Sequence, residues 1–548
     1  MSQSITRSTP DGSRIWLPGI VACIARHLPA NEVASTLRLL DKATSEQFAH
    51  HKTLRLSLPS PIHVFRERWG RPGAFRALSH KQRLQLLCLT AASGSVANLE
   101  VALVSTGYGL RCELLEAAAA AGQLNMCKVL RARGCLWGDS LSAAAKAGYR
   151  HVCEWMLASG CPVNGDVVCN AARGGREDLM QWLLTELQGR LNDGEFLDCW
   201  SLLRAAAEYL SLAALQRLWQ QLTAGRHGSE LQQDLEQLDE EHRGAILAAA
   251  AGSTTPDWQA KVEWLEGLGY PRTSRACKLA VRDGDGDAVV ARLQWLRGRG
   301  YPLEAAVADT AVCVGSVVAL RFLVEQEGVR PTGNLLVVTE AAAHGHLAVL
   351  QYLHASVLRV DACSVAEEAA EKGHLPIVSW AVEVLGVAPS FQAATLLERA
   401  AESGNLELMT WLHVRGWALG PEAIPNGAAS GCEEALEWLV ERGSPLPLDG
   451  DAYLPAARNG DLAMLRCLHR LGCPWGPPGE LLKNCIDSGF SVAVPQCLLD
   501  LGCPEPDWDA EVKMAESKAH WVPRERHVAL MAWLGEQRRR RSPGAQGA

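Results

Sequence analysis

The sequence predicts an all-α fold: an α-solenoid of stacked helix hairpins preceded by a small N-terminal helical module. Three observations carry that expectation. A glycine marks the same place in one unit after another, at Gly94, Gly122, Gly148, Gly175, Gly252, Gly284, Gly315, Gly345, Gly373, Gly404, Gly431, Gly460 and Gly489. Most of the intervals are 26 to 31 residues, a period that belongs to stacked repeats. An aromatic stands seven residues after the marker in many copies, at Trp155, Trp182, Phe322, Tyr352, Trp380, Trp411 and Trp438. Finally, each copy reads as two helices. In 400–416 an Ala-rich helix is stopped by Gly404, and a second helix carries Leu406, Met409 and Leu412 on one stripe before Gly416.

Taken in order, residues 1–14 lack apolar periodicity and are expected to be disordered. Residues 15–58 form a helical module. Leu17-Pro18 opens a helix with Ile20, Val21, Ile24 and Leu28 on one face, and Pro29-Ala30-Asn31 breaks it, with Asn31 as N-cap of a second helix bearing Val33, Leu37 and Leu40. Phe48, Leu54, Leu56 and Leu58 are expected to close the cluster. Residues 59–85, rich in Pro and Gly, read as a connector, and the array occupies 86–535. Its regularity falters near 187–243, where Leu210 stands in place of the glycine and the segments 187–198 and 223–243 are long and polar, with an acidic run from Gln232 to Glu241. The last unit, around Met514 to Leu534, lacks the glycine and is more charged, as a terminal cap requires. Residues 536–548 read as a disordered basic tail, with Arg538 to Arg541 either solvated or serving as a nuclear address.

Composition excludes several functions. The formal net charge of −8 is modest for 548 residues and both signs are interspersed, so nucleic acid is not expected as a partner. No run of about 18 apolar residues exists and Met1 to Arg14 has no apolar core, so neither a membrane span nor a secretory signal is expected. A cytoplasmic location, or a nuclear one, follows. Eighteen cysteines in such a chain imply a reducing compartment. Cys135, Cys161, Cys473 and Cys503 each follow the glycine closing a second helix, which suits a small residue at a tight corner better than a metal ligand. No phosphate loop, nucleophile elbow or paired-His zinc motif is present, so no catalytic residue, metal site or cofactor is expected and the protein is not read as an enzyme. Asp283, Asp285 and Asp287 imitate a calcium loop, but Ala288 and Gln294 occupy positions that need Gly and Glu.

The order of Ala-Ala, a variable pair, Gly, a polar residue, Leu and an apolar helix resembles the ankyrin repeat, most closely in 342–353, Ala-Ala-His-Gly-His-Leu-Ala-Val-Leu-Gln-Tyr-Leu. The usual Thr-Pro-Leu-His start is absent and the period is short, which implies connecting fingers trimmed to turns. Corners such as Gly160-Cys161-Pro162, Gly269-Tyr270-Pro271 and Gly300-Tyr301-Pro302 resemble the degenerate ankyrin arrays of algae, amoebae and large viruses, and the array together with its N-terminal module most resembles the green-algal type. His344, His346 and His374 lie where such arrays use histidine to tie neighbouring loops. The resemblance also implies that the pair before the marker glycine lies on the concave, partner-binding surface. That pair supplies Lys146, Arg173, Arg282, Asp283, His344, Glu371, Lys372, Glu402, Ser403, Arg458, Asn459, Asp487 and Ser488.

The segment from Leu17-Pro18 to about Leu58 resembles an F-box, with a first helix one residue short and without the acidic residue after Leu-Pro. That likeness implies docking to a ubiquitin-ligase adaptor through Leu17, Pro18, Ile20, Ile24 and Leu28; the other reading is a cap over the end of the array. The function expected is non-catalytic binding of a protein partner. The alternative is substrate recognition within a cullin-type ligase, and a third reading is a scaffold with homotypic contacts through exposed Trp137, Trp417 and Trp475.

Overall fold

The computed structural model of the protein describes residues 18–187, 199–224, 238–282, 286–356, 360–389, 395–517 and 524–541. Among these residues all regular structure is helical and no strand occurs, so the connections between repeats are turns. The chain divides into two compact units, Met1–Phe75 with Arg83–Thr106 and Leu110–Ser140, and Arg76–Gln82 with Gly107–Gly109 and Leu141–Ala548.

In the first unit the helices Pro18–His27, Ala30–Ser35 and Lys42–Gln47 close on Val21, Val33, Leu37 and Phe48, with Ala25 and Leu28 packed against them. Asp41 and Thr44 form a capping box that starts the third helix. Asn31 is not the expected N-cap. It lies inside its helix, nearly fully buried, where its amide donates to the carbonyls of Arg55 (2.8 Å) and Leu58 (3.0 Å) and accepts from the Arg55 N–H (2.8 Å). That staple holds the stretch after Phe48 by its backbone, which leaves the Leu54 side chain exposed instead of closing the core. The connector contains a helix, Ile62–Trp69, anchored by buried Phe65 and by Trp69 stacked on Phe75. The first repeat helix starts at His80, before the expected boundary.

In the second unit the short first helices of the repeats form one layer. Asp166–Arg173, Cys199–Tyr209, Glu240–Ala251, Ser274–Arg282, Ala305–Cys313, Leu335–Ala343, Ala362–Lys372, Leu396–Ser403, Ala423–Ser430, Tyr453–Arg458 and Glu480–Asp487 each pack on the next. Small side chains make that approach possible. The alanine pairs 171–172, 369–370 and 400–401 have no solvent exposure, and Ala341-Ala342 fills the same place in its own repeat. Each first helix is followed by a second helix that buries an apolar stripe, as Leu406–Val414 buries Leu408, Met409 and Leu412 and Leu375–Glu383 buries Ile377, Val378 and Trp380. In the repeat marked by Gly315, the second helix Val317–Arg321 continues as a π-helical turn, Phe322–Gln326.

Both helices of a repeat end in the same way. Gly345 (φ +80°) donates to the Ala342 carbonyl and the following His346 N–H reaches Ala341, while Gly373 (φ +80°) and His374 repeat this on Ala370 and Ala369. This is the Schellman geometry, which needs a left-handed residue and so selects glycine. At the end of a second helix Gly416 (φ +93°) bonds His413 and the Trp417 N–H returns to Leu412. The residue after that closing glycine folds back on its own helix, which is why Cys135, Cys161, Tyr301, Trp417, Cys473 and Cys503 are all buried. Trp417 is therefore not available as an exposed contact: its exposure is 2%. Trp137 and Trp475 are half-buried, the first beneath Arg131 and the second stacked on Tyr453 and His469.

The irregular joint around residue 210 has its own polar core. Ser253, which follows the marker Gly252, donates to the Glu208 carbonyl at 2.6 Å. Lys261, with no solvent exposure, donates to the Ala207 carbonyl (2.9 Å) and to Ser253 Oγ (2.8 Å), and lies 3.9 Å from Asp257. Asp257 in turn accepts from the Leu212 N–H and from Thr255 Oγ1. Residues 188–198 and 225–237 of the expected insertions, and 232–237 of the acidic run, lie outside the described residues; Asp239 caps the helix Glu240–Ala251 that follows.

At the C-terminal end Trp508–Ser517 and Arg524–Arg541 enclose Ile486, Trp508, Leu530, Trp533 and Leu534. The helix carries on through Arg541, past the expected start of a disordered tail. Gln537 is buried, Arg538 pairs with Asp509 (2.6 Å), and Arg540 pairs with Glu536 four residues back (2.5 Å), so the arginines extend the cap instead of leaving it.

Candidate partner-binding face

Helical spacing decides which side chains of a first helix meet solvent. With the alanine pair three and four residues before the marker glycine turned inward, the residues one, two, five and six before it lie on the opposite face. The sequence singled out only the two nearest the glycine. The other two, one helical turn back, add Arg204, Lys278, Glu340, Glu367, Glu368 and Arg399. The signal that locates them is the same spacing, carried back by three or four residues.

The marker glycines also bring neighbouring repeats together at this edge. His374, just after Gly373, places Nε2 2.8 Å from the Ala343 carbonyl of the preceding repeat. His346 reaches the Cys313 carbonyl in the same manner, and burial lowers its proton affinity. Asn405 does two things: Nδ2 donates to the Gly373 carbonyl (3.1 Å) while Oδ1 caps its own helix at Leu408 (3.2 Å). A Cβ on Gly345 would stand 3.0 Å from the His374 ring, and one on Gly404 3.0 Å from Cys432, so the next repeat closes over each glycine.

The expected contact residues fall into three groups. Lys146, Arg282, His344, Lys372, Arg458 and Ser488 are exposed, and Arg173, Glu371, Glu402 and Asp487 are half-buried on the same face. Ser403 and Asn459 turn to the backbone, Ser403 Oγ donating to the Ala400 carbonyl (2.6 Å) and Asn459 Nδ2 to that of Ala429 (3.3 Å). Asp283 lies outside the described residues, together with Asp285 of the calcium-like run, while Asp287 and Ala288 belong to the helix Gly286–Gly298.

The structure assembles two charged groups there. Glu371 pairs with Lys372 (2.5 Å) and with Arg399 of the next repeat (3.3 Å), and Lys372 also reaches Glu368 (4.0 Å). Glu402 sits beside them, its carboxyl made harder to ionise by burial and by the Glu371 charge, and the Lys372 ammonium is held above its ordinary range by its bond to Glu371. The second group is a bridge: Arg282 Nη2 lies 2.7 Å from Glu208 Oε1, and these residues belong to repeats on either side of the helix Glu240–Ala251. Beneath them every residue of that helix from Gly244 to Ala251 is buried.

The expected adaptor-docking residues differ in exposure, and Ile20 and Ile24 share one face of the helix Pro18–His27. Leu17 lies outside the described residues. Pro18 and Ile20 are exposed, with the Pro18 carbonyl accepting from Gln47 Nε2 (2.9 Å), whereas Ile24 is half-buried and Leu28 packs into the module's own core. Leu39 and Leu40, not singled out as docking residues in the sequence, are 63% and 50% exposed.

No family model matches the sequence, and no curated protein matches it. Solved structures that align with it include the pentatricopeptide repeat protein PPR10 from maize, at 14% identity and a TM-score of 0.26 over 97% of this chain and 86% of that one. They also include PPR10 in complex with an 18-nt psaJ RNA element, at 11% identity and a TM-score of 0.22 over 96% of this chain and 88% of that one. The superposition is loose in both, and the description of a helical repeat array rests on this chain's own helices. The expectation that nucleic acid is not a partner is withdrawn, because a solved structure that aligns with this chain is of a complex with RNA.

Proposed function

We propose that this is a non-catalytic binding protein whose ankyrin-like array holds a protein partner on the exposed face of its first helices. The observation that carries the reading is the Glu371–Lys372–Arg399–Glu402 group. Its charged side chains are partly desolvated and held by one another across two repeats, a pre-ordered surface of both signs that suits polar contacts at a protein interface. The ankyrin likeness supports the same face, since that family uses it for partners. Affinity capture from cell extract followed by mass spectrometry tests the reading, comparing the natural chain with a Glu371→Lys/Arg399→Glu variant. Proteins retained by the first and lost by the second support it. Identical protein sets from both count against it.

A second reading is favoured by one observation. The small N-terminal module leaves Ile20, Leu39 and Leu40 exposed beside its own core, apolar surface that a docking module presents and a self-sufficient cap covers. On this reading residues 15–58 dock a ubiquitin-ligase adaptor as an F-box does, and the array selects the substrate. Recovery of ligase subunits that disappears in Leu39→Asp/Leu40→Asp supports it, and their absence from the natural chain's partners removes it.

A further inference from the structure

Charge is not distributed evenly along the exposed face of the first helices. In the repeats marked by Gly148 to Gly284, the described residues at the four outward positions include the cations Lys146, Arg173, Arg204, Lys278 and Arg282. The single carboxylate among them, Glu208, is 7% exposed and already bound to Arg282. In the repeats marked by Gly345 to Gly404 the sign reverses. Glu340, Glu367, Glu368, Glu371 and Glu402 lie at those positions, against Lys372 and Arg399. Glu398 is turned inward, accepting the Glu422 N–H at 3.2 Å. The repeats that follow return to a neutral mixture. Glu402 is made harder to ionise by its burial first and by the Glu371 charge beside it second.

We infer that this face is a bipolar docking surface for one extended polypeptide segment, carboxylates of the segment meeting the Lys146–Arg282 arm and its lysines or arginines meeting the Glu340–Glu402 arm. The inference rests on the protein-partner reading above and adds the partner's charge pattern. Complementarity of sign is what selects that pattern: a segment of one charge gains on one arm and is repelled by the other, whereas a bipolar segment gains on both. The two arms act as linked sites, so the second contact forms at high effective concentration once the first is made. First helices pack at about 8–10 Å between axes, so the five intervals from the middle of one arm, Cys199–Tyr209, to the middle of the other, Ala362–Lys372, are spanned by about 15 residues at roughly 3.3 Å each.

Fluorescence anisotropy with the full chain tests this, using three synthetic peptides: a Glu-rich decamer, a Lys-rich decamer, and the two joined by a Gly-Ser spacer. The joined peptide is expected to bind at least ten-fold tighter than either half at physiological salt. Glu368→Lys/Glu371→Lys/Glu402→Lys is expected to reduce it to the level of the Glu-rich half, and Lys146→Glu/Arg173→Glu to that of the Lys-rich half. Far-UV circular dichroism on each variant separates these losses from unfolding. Joined and half peptides of equal affinity, or reversal variants without effect, overturn the inference. So does an 18-nt single-stranded RNA bound more tightly than the joined peptide and lost in Lys146→Glu/Arg173→Glu. If the capture experiment still returns proteins sensitive to Glu371→Lys/Arg399→Glu while the peptides fail, the binding function stands and only the bipolar pattern is lost.

Discussion

His374 bonds the backbone carbonyl of Ala343 through Nε2 at 2.8 Å, tying the turn of one repeat to the end of the first helix before it. Because the carbonyl can only accept, the imidazole carries its proton on Nε2. Beneath the same ring lies Gly345, which has φ +80° and where an added Cβ would stand only 3.0 Å from the ring.

The two sites separate two costs. His374→Ala removes one hydrogen bond and is expected to lower stability by about 1 kcal/mol. Gly345→Ala adds left-handed strain and displaces the ring, and is expected to cost about 2–3 kcal/mol. Urea unfolding followed by tryptophan fluorescence measures both, and the order of the two midpoints is the check.

Lys261 should make stability depend on pH in the alkaline range. Burial pulls its proton affinity down to about 8 from 10.5, with Asp257 opposing the fall. Between those values the unfolded chain binds the proton and the folded one does not, so stability rises with pH across that window and is flat below it. The rise is expected to be about 3 kcal/mol at most. Lys261→Met, which keeps the length of the stem, should abolish the slope. Urea midpoints at pH 7.0, 8.5 and 9.5 for both proteins decide it.

Arg282 and Glu208 should be energetically coupled. Taking away the guanidinium leaves Glu208, almost wholly buried, without its cation at 2.7 Å. Arg282→Ala is expected to cost about 1–2 kcal/mol, and Glu208→Gln in the same chain to recover about half of it. A double-mutant cycle on the urea midpoints gives the coupling directly, and additivity of the two changes would refute it.

Of the 18 cysteines, Cys23 is the exposed one, while burial pushes the thiols of Cys127, Cys153, Cys277 and Cys467 up to about 12. A thiol reacts as its thiolate, so native chain treated with a chromogenic disulfide should show one fast equivalent, absent in Cys23→Ser, and a slow remainder. Several fast equivalents in the variant would contradict the placement of the others.

The repeat was legible because both its signals are backbone requirements. A left-handed turn needs glycine and a close helix pair needs alanine, whatever the rest of the unit does. The aromatic corners are less legible: nothing in the local sequence assigns Trp417 a packing partner, yet the turn after Gly416 folds it onto its own helix. The outward face was half-read. The pair before each glycine carries Lys146 and Glu371, whereas Lys278, Glu367 and Glu368 lie a turn earlier, and the change of sign along the layer needs both. Nothing in the local sequence marks Lys261 as buried or Arg282 as the partner of Glu208. Those depend on which helices the irregular joint at Leu210 brings side by side, information that no period carries.

The bridge from Arg282 to Glu208 skips a repeat, and this changes how the stack opens. In a one-dimensional array each unit senses only its neighbours, so a single interior repeat can melt by breaking the two interfaces beside it. Here the repeat built on Glu240–Ala251 is clasped by the units on both sides, which hold each other across it. Opening it alone breaks three contacts instead of two, so the helices Cys199–Tyr209, Glu240–Ala251 and Ser274–Arg282 are expected to open together, and the backbone amides of 244–251 to exchange with solvent at the rate of that joint opening.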